Sequence, residues 1–400
     1  MTHHFFRIIL SVALAVGFLT AKAQLSQTPA DSVARISLLT AAPGAEVYQL
    51  EGHSGLRMTF DGTDVVANWG LFDFRTPNFV YRFVKGETDY CVGLMPYSYF
   101  IAEYAAEGRR VTEQELNLTP QQARKLIELV YTAVRPENRT YRYNYVLDNC
   151  ATHPISFIEQ ATGDSIRFST RAADLDEDIT FRKVMAYFHL NYPWYQFGID
   201  LALGSGIDYP IDVRATGFAP AVLQEIATHA TIGDSVPLIR STEILVKGPA
   251  EGAILPPTPW YLTPLTAMWV LCGGCLAVAV AARSRNRIMR GWQALFFSVM
   301  GVAGCVIAFL VVISTHEATS PNWIILWMNP FCLLMPALMF IPCALRLTRW
   351  YVMANLFMIA VYAITCAFGV QAVNQAFIPL ALADIIMSLS YLRQTREKIG

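Results

Sequence analysis

Long apolar runs separated by short polar breaks fill the last third of the sequence, from Trp260 to Leu392. Each run approaches the roughly 20 apolar residues that an α-helix needs to cross the hydrocarbon core of a bilayer. Hydrophobic residues make up 54% of the chain and charged residues only 15%, well below the quarter or so that is usual in soluble proteins. Five runs therefore predict five transmembrane helices in an all-α bundle, over residues 260–282, 292–314, 323–345, 351–370 and 377–392.

Basic residues occur only in alternate breaks between these runs. Under the positive-inside rule, such breaks lie in the cytoplasm, so the segment before the first run lies outside and residues 393–400 form a cytoplasmic tail. The basic residues of the three breaks are Arg283, Arg285, Arg287 and Arg290, then Arg346 and Arg349, then Arg393, Arg396 and Lys398.

The first residues carry an independent export signal. A short basic start, an apolar run from Ile8 to Leu19 and small residues at Ala21 and Ala23 predict a secretory signal peptide over residues 1–23. No cysteine follows the cleavage site to receive a lipid. We therefore expect an exported domain over residues 24–255 and a proline-rich linker over residues 256–259.

The exported segment has the pattern of a mixed α+β domain. Leu56, Met58 and Phe60 alternate with polar residues, and Asp61-Gly62 then predicts a hairpin into a second strand. Further on, Thr119 is placed as the N-cap of a helix that ends before Pro136.

Most of the eight cysteines lie in apolar runs and are expected to be small buried hydrophobes. Among them, Cys272 and Cys275 flank two glycines, a composition typical of close helix packing in membranes. Only Cys91 and Cys150 fall in the exported segment, where they form a disulfide in one interpretation and leave Cys150 as a catalytic thiol in the other.

Cys150 follows an aromatic-rich stretch and begins a predicted helix that ends near Gly163. Unsatisfied N–H groups at a helix N-terminus stabilise a thiolate, so we expect a lowered pKa for this thiol. A thiol nucleophile needs a base. His53 is the best-placed histidine, because Gly52 and Gly55 beside it leave room for a substrate, although a structural role is common for any single histidine.

Four motifs occur in the order GHSGLRM, NWGLFDFRTPNF, LNLTPQQ and YNYVLDNCAT. In this order they resemble the catalytic domain of the Lnb-type lipoprotein N-acyltransferases of bacteria and, more distantly, the circularly permuted NlpC and papain-like enzymes. The resemblance implies a permuted papain-like fold in which His53, on a strand, precedes Cys150 at the start of a helix. His153 departs from the pattern, because an arginine is expected soon after the cysteine.

The same resemblance implies an activity. Such an enzyme transfers a fatty acyl chain from a phospholipid to the α-amine of the N-terminal diacylglyceryl-cysteine of apolipoproteins, with Cys150 as nucleophile and His53 as base. Its partners are the phospholipid donor, the apolipoprotein acceptor and membrane lipid, and it needs no cofactor or metal. The implied location is the bacterial inner membrane, with the catalytic domain on the periplasmic side.

Supporting residues follow from the same chemistry. A third polar residue should orient the imidazole, and Asn68 is the first candidate and Asp73 the second. The Cys150 backbone N–H, with Tyr145 or Asn149 nearby, is expected to stabilise the oxyanion. Arg57 either meets a lipid phosphate or pairs with Asp61 as an ordinary strand arginine.

Two other functions fit the same residues. A membrane-anchored cell-wall cysteine peptidase or amidase would use the same pair of residues, His53 and Cys150. A non-catalytic envelope scaffold would bury Cys150 without using it. Five spans exceed what a wall hydrolase needs as an anchor, which favours a lipid substrate. The net charge of −1, with no extended basic stretch, argues against a nucleic-acid partner.

Overall fold

The computed structural model describes residues 34–73, 75–170, 172, 175–176, 178–281 and 286–396, so the predicted signal peptide lies outside the described residues. The chain forms two compact units that are interleaved in sequence. The first unit comprises Met1–Pro77, Thr88–Asp176 and Asp212–Ile254, and the second comprises Asn78–Glu87, Glu177–Ile211 and Leu255–Gly400. The second unit thus includes two segments that the sequence analysis assigned to the exported domain.

The described strands lie in the first unit. They are β1 (Arg35–Ala41), β2 (His53–Phe60), β3 (Thr63–Leu71), β4 (Asp89–Pro96), β5 (Val111–Leu116), β6 (Thr140–Arg142), β7 (Ile166–Arg167), β8 (Thr231–Ile232), β9 (Val236–Pro237) and β10 (Ile239–Val246). Seven of them form an antiparallel sheet in the order β10-β5-β1-β2-β3-β4-β6, and β7-β8-β9 form a small second sheet. The hairpin predicted at Asp61-Gly62 is confirmed, because it joins β2 to β3.

Thirteen α-helices are present among the described residues. They are α1 (Phe79–Lys85), α2 (Tyr97–Ala106), α3 (Pro120–Ala133), α4 (Thr152–Thr162), α5 (Phe181–Phe188), α6 (Pro193–Ala202), α7 (Val213–Thr216), α8 (Pro220–His229), α9 (Pro264–Ala281), α10 (Asn286–Val312), α11 (Met335–Leu338), α12 (Leu345–Ala367) and α13 (Phe377–Gln394). The first unit is therefore a mixed α/β domain, and the second is helical.

The predicted start of α3 is confirmed by its hydrogen bonds. The Gln122 backbone N–H donates to Thr119 Oγ1 at 3.3 Å, and the Thr119 N–H donates to Gln122 Oε1 at 2.9 Å. This reciprocal pair is a capping box, with Pro120 in the first turn. The helix buries Leu126 and Val130 and ends before Pro136, as predicted.

The helical C-terminal region differs from the predicted bundle of five helices. In the part of the chain that the structure describes, three helices are long and apolar enough to cross a membrane: Pro264–Ala281, Met289–Val312 and Pro342–Ala367. The 18-residue α13 is a fourth apolar helix. The run over residues 323–345 is not one helix, because prolines at 330, 336 and 342 lack the N–H donor that a continuous helix needs. It forms short helical turns instead.

Residues 78–87 pack onto the end of α10 within the second unit. The Tyr81 and Phe309 rings lie with their centroids 6.0 Å apart, and Ser314 Oγ donates to the Val84 carbonyl at 2.8 Å. The short helix α1, although it follows β3 in sequence, therefore belongs structurally with the helices of the second unit.

Residues 177–211 join the same unit through a buried polar network. Arg182 is 4% exposed and binds both Asp200, at 2.9 Å, and Asp208, at 2.6 Å. Asp200 in turn accepts a hydrogen bond from Asn374 Nδ2 at 2.8 Å, in the loop between α12 and α13. Each buried charge thus has an opposite partner, and the network ties α5 and α6 to the loop before α13.

Close backbone packing in this unit occurs at glycines other than those expected. A Cβ at Gly273 or Gly274 would meet no described atom within 4 Å, so the glycines between Cys272 and Cys275 are not a close-packing site. A Cβ at Gly304 would instead lie 2.4 Å from the Asn329 backbone carbon, and one at Gly301 would lie 2.5 Å from the Leu333 nitrogen. The broken segment therefore packs directly against the backbone of α10.

Gly304→Ala should destabilise the protein by about 1–3 kcal/mol, because the new methyl group overlaps backbone atoms that cannot rotate away. Thermal unfolding in detergent measures the change, with Gly273→Ala as the matched control, where the methyl group has space. A melting temperature for Gly304→Ala equal to that of the control would contradict the packing at this position.

Candidate active site

His53 and Asn68 lie on adjacent antiparallel strands. His53 is the first residue of β2, and Asn68 on β3 lies directly opposite Gly55. His53 Nε2 and Asn68 Oδ1 are 2.9 Å apart, within hydrogen-bonding distance. The first candidate for the orienting residue therefore contacts the imidazole of the predicted base.

This hydrogen bond defines the tautomer of His53. Asn68 Nδ2 lies 2.6 Å from Met95 Sδ, an acceptor, so the amide oxygen faces the ring. Because this oxygen only accepts, His53 Nε2 must carry the proton and donate it. Nδ1 then keeps a lone pair, which allows His53 to accept a proton from a thiol.

The glycines beside His53 make room for the protein's own atoms rather than for a substrate. A Cβ at Gly55 would lie 2.9 Å from Val66 Cγ1 and 3.3 Å from Asn68 Oδ1. Gly52 has φ +91° and packs its α-carbon against the Ala41 carbonyl, where a Cβ would lie only 2.6 Å from the oxygen. The expectation of substrate space at these two positions is therefore wrong.

Cys150 lies in the tight turn before α4. Asn149 Oδ1 accepts from the backbone N–H groups of Ala151, at 2.8 Å, and Thr152, at 3.0 Å. Its Nδ2 donates to the carbonyls of Tyr145 and Phe218. Both amide donors are therefore occupied, which corrects the suggested oxyanion role of Asn149: the residue shapes the turn that presents Cys150.

Tyr145 is also engaged. Its hydroxyl donates to the Glu51 carboxylate, so its single donor is not directed at an oxyanion. The suggested role of Tyr145 is corrected accordingly. Of the donors proposed from the sequence, the Cys150 backbone N–H remains.

Aromatic contacts hold α4 against the sheet. Trp69 on β3 is 1% exposed, and its ring lies 5.3 Å from Phe157 and 6.0 Å from His153. His153 Nε2 is 2.6 Å from Asp148 Oδ1. The histidine that stands where arginine was expected is thus part of this packing.

Three further residues lie near both His53 and Cys150. The Ser54 backbone N–H hydrogen-bonds to the Cys150 thiol, the Tyr104 ring stacks 6.2 Å from His53, and the Arg109 guanidinium lies 4.8 Å from the centre of the Tyr104 ring. Arg109 is 2% exposed, and its charge acts on both His53 and Cys150. Sequence reasoning missed Tyr104 and Arg109 because no local motif marks them, whereas Ser54 lies in the GHSGLRM motif.

Gly70 on β3 borders Cys150. It has φ +87°, and a Cβ there would lie 3.8 Å from Cys150 Cβ and 4.0 Å from Tyr143 Cε2. Tyr143 is another residue of the pocket that the sequence analysis did not single out. Its position in the aromatic stretch before Cys150 was the available signal.

The two remaining candidates lie elsewhere. Asp73 is exposed and binds Arg75 at 2.9 Å in the loop after β3, so its suggested role as an orienting residue is corrected. Arg57 binds Asp64 at 2.8 Å and Glu113 at 3.1 Å, and its guanidinium lies over the Tyr97 ring. The Arg57 guanidinium is therefore engaged by two carboxylates and an aromatic ring, and Asp64 is its partner on the neighbouring strand.

Two family models match the chain. The N-terminal periplasmic domain of Lnb matches residues 20–185, and the Lnb transmembrane domain matches residues 257–398. This chain belongs to the Lnb family. The protein is therefore a membrane protein with a periplasmic N-terminal domain and C-terminal membrane helices, and the resemblance seen in its motifs is confirmed. No curated protein and no solved structure matches the chain.

The match to the Lnb periplasmic domain contains His53, Asn68 and Cys150 but not the whole site. Phe218, whose carbonyl accepts from Asn149, and Ala221, whose N–H donates to the Glu51 carbonyl at 3.1 Å, lie beyond residue 185. The segment between the two matches thus contributes to the site of this Lnb family member.

Cys91 and Cys150 of this Lnb chain are both free thiols, so the disulfide interpretation does not hold. In the part of the chain that the structure describes, no group of three or more His, Cys, Asp or Glu side chains is arranged to hold a metal ion.

The surroundings of Cys150 and His53 favour the neutral thiol and the neutral imidazole. Burial raises the pKa of the Cys150 thiol to about 11, against the hydrogen bond from the Ser54 N–H. The lowered pKa expected from the helix start is therefore wrong, because desolvation outweighs the N–H donors. Burial also lowers the pKa of His53 to about 4, so the imidazole is neutral near pH 7.

These pKa values predict how Cys150 reacts with iodoacetamide. Because the thiolate is the reactive form, the rate should rise about tenfold per pH unit between about pH 7 and pH 10. Mass spectrometry of the Cys150 peptide measures the rate. A plateau below about pH 9 would instead mean that a thiolate–imidazolium pair already exists in the resting enzyme.

Proposed function

We propose that this protein is a lipoprotein N-acyltransferase that uses a thioester on Cys150. It would move a fatty acyl chain from a phospholipid to the α-amine of the N-terminal diacylglyceryl-cysteine of an apolipoprotein. The hydrogen bond between His53 Nε2 and Asn68 Oδ1 carries the proposal, because it leaves the Nδ1 lone pair of His53 able to accept a proton, and Cys150 is a free thiol. Membership of the Lnb family and the membrane helices support a lipid substrate.

In the first half-reaction, Cys150 attacks the ester carbonyl of the phospholipid while its proton passes to His53 Nδ1. The carbon–sulfur bond forms, and the ester carbon–oxygen bond then breaks. The leaving lysophospholipid alkoxide takes the proton back from the imidazolium. A neutral Cys150 thiol and a neutral His53 imidazole suit this step, since the proton transfer and the attack of the sulfur occur together.

In the second half-reaction, the apolipoprotein amine attacks the thioester carbonyl. His53 accepts a proton from the attacking nitrogen, the carbon–nitrogen bond forms, and the carbon–sulfur bond breaks. The departing thiolate recovers the proton. The acceptor amide and a free Cys150 are the products.

The proposal extends to fold and location. The order of a histidine on β2 before a cysteine at the start of α4 fits a circularly permuted papain-like domain. The proposed location is the bacterial inner membrane, with this domain in the periplasm and residues 393–400 in the cytoplasm. Donor and acceptor both lie at that membrane surface, where a tethered enzyme searches in two dimensions.

Incubation with a phospholipid of defined acyl chains should add the mass of one acyl chain to the purified full-length protein. The adduct should be labile to hydroxylamine and absent from Cys150→Ser, because only a thiol forms a thioester. His53→Ala should form it about 10²–10⁴-fold more slowly, as expected for loss of a general base. Intact-mass spectrometry over time measures both effects.

Cys91→Ser provides the matched control, since Cys91 is another partly buried free thiol of the same unit. It should form the adduct at the wild-type rate. Absence of any adduct from folded wild-type protein with a free Cys150 thiol would refute the thioester mechanism, and cleavage of peptidoglycan fragments would then support a wall peptidase.

A further inference from the structure

The short helix α1 turns large apolar side chains outward. Val80 is 73% exposed, Tyr81 53% and Phe83 45%, and all three lie within four consecutive residues. A single exposed apolar residue is common on a protein surface, but several together mark a contact with a partner or with a membrane. The outward side of α1 therefore needs an apolar neighbour.

The position of α1 is fixed by the loop that follows α10. His316 Nε2 lies 2.8 Å from the Phe83 carbonyl, and the Thr315 backbone N–H donates to the Lys85 carbonyl at 2.9 Å. The Phe83 and His316 rings also meet edge to face, with their centroids 6.2 Å apart. A Cβ at Gly86 would lie 3.2 Å from the His316 nitrogen, so the two backbones are in close contact. The helix is thus held at the end of α10.

This end of α10 is the end of a membrane span. Met289–Val312 is one of the three described helices that are long and apolar enough to cross a bilayer. Tyr81 packs on Phe309, three residues before Val312, which is about 4.5 Å along the helix axis. The Tyr81 ring therefore reaches past the end of the span, toward the hydrocarbon.

The same end of α10 faces the periplasm. The break that contains Arg283 and Arg285 precedes α10, so the positive-inside rule places the opposite end of the helix outside the cytoplasm. Residues 78–87 also lie within the match to the Lnb periplasmic domain, which requires the same side. The lipid beside α1 is therefore that of the leaflet facing the periplasm.

A second segment of the exported sequence has the same relation to a span. Trp194, at the start of α6, is 49% exposed, and its Nε1 donates to the Leu262 carbonyl at 2.7 Å. Leu262 comes two residues before the apolar helix Pro264–Ala281, and its neighbours Trp260 and Tyr261 are also exposed. Tryptophan and tyrosine concentrate where a membrane meets water. Exposed aromatic residues therefore mark the periplasmic ends of two spans.

We propose that α1 is an interfacial membrane helix. Val80, Tyr81 and Phe83 lie among the glycerol backbones and upper acyl chains of phospholipids in the leaflet facing the periplasm, as in helices that bind membranes in the interface plane. Lipid is the occupant, rather than a protein partner, because the contact with Phe309 puts the patch at the level of the span itself. The inference goes beyond the proposed function, since it does not depend on the chemistry of Cys150.

This placement gives a physical reason for the interleaving of the two units. Strands β3 and β4 pair in the sheet, yet the connection between them carries α1, which belongs to the second unit. A segment whose apolar side chains enter lipid gains stability from the membrane and from the helices that span it. The loop that follows the strand of Asn68 is thus a second attachment of the periplasmic domain to the bilayer.

Photo-crosslinking tests the proposal on the full-length protein in nanodiscs of phosphatidylethanolamine and phosphatidylglycerol. The amino acid p-benzoylphenylalanine, which reacts with nearby C–H bonds under ultraviolet light, replaces Val80 in one variant and Tyr81 in another. Both positions are exposed, so the added ring displaces no buried side chain. Peptide mass spectrometry should find phospholipid on the peptide that contains α1, joined through its glycerol or acyl carbons.

Asp234 is the matched control position, because its side chain is 83% exposed in the turn between β8 and β9 of the first unit. The same substitution there should give at least about tenfold less lipid adduct, as expected for a side chain in water. Melting temperatures close to that of the wild type establish that the three variants are folded.

Three results would overturn the proposal. Lipid yields at positions 80 and 81 no higher than at position 234 would mean that α1 lies in water. Adducts confined to the headgroup would mean that the helix stays above the acyl chains. Crosslinks from α1 to a second copy of the chain, in place of lipid, would identify the patch as a protein interface.

Discussion

The pairing of β2 with β3 places Gly55 opposite Asn68, and the hydrogen bond from His53 to Asn68 depends on that register. A slip of one residue would turn the Asn68 side chain to the opposite face of the sheet. Glycine at position 55 keeps the register possible, because a Cβ there would press on Val66 and on the Asn68 amide oxygen. The tautomer of His53, and with it the lone pair on Nδ1, follows from this one strand pair.

The electrostatics of the pocket suit a thiol that works outside the cytoplasm. A thiolate is the form that oxidants and disulfides attack, so a thiol kept protonated resists loss in an oxidising compartment. Burial provides this protection by raising the pKa of Cys150 to about 11. In the proposed mechanism, the thiol becomes nucleophilic only when His53 Nδ1 takes its proton. Of the charged groups nearby, Glu51 raises the pKa of the Cys150 thiol and Arg109 lowers it.

Features with a local cause were predictable from the sequence. The Asp61-Gly62 hairpin, the Thr119 capping box and the turn that starts α4 each depend on residues close together in the chain. Arg109 and Glu51 were missed because only the folded sheet brings them to Cys150. The helical continuity of the third apolar run, residues 323–345, was overestimated. Hydropathy does not register that its prolines lack the N–H donor that a continuous helix needs. The lowering of the Cys150 pKa by the start of α4 was overestimated, because the burial of the thiol cannot be judged from sequence alone.

The interleaving of the two units constrains how this protein can be studied and how it works. A fragment that ended at residue 255 would keep residues 78–87 and 177–211 but lose the helices and loops on which they pack. Asp200 would lose its hydrogen bond from Asn374, and Tyr81 would lose its contact with Phe309. The strand that carries Asn68 leads directly into one of these segments. A cut at one point in the chain therefore cannot separate the two units, because the sequence that carries His53, Asn68 and Cys150 also contains two segments of the second unit.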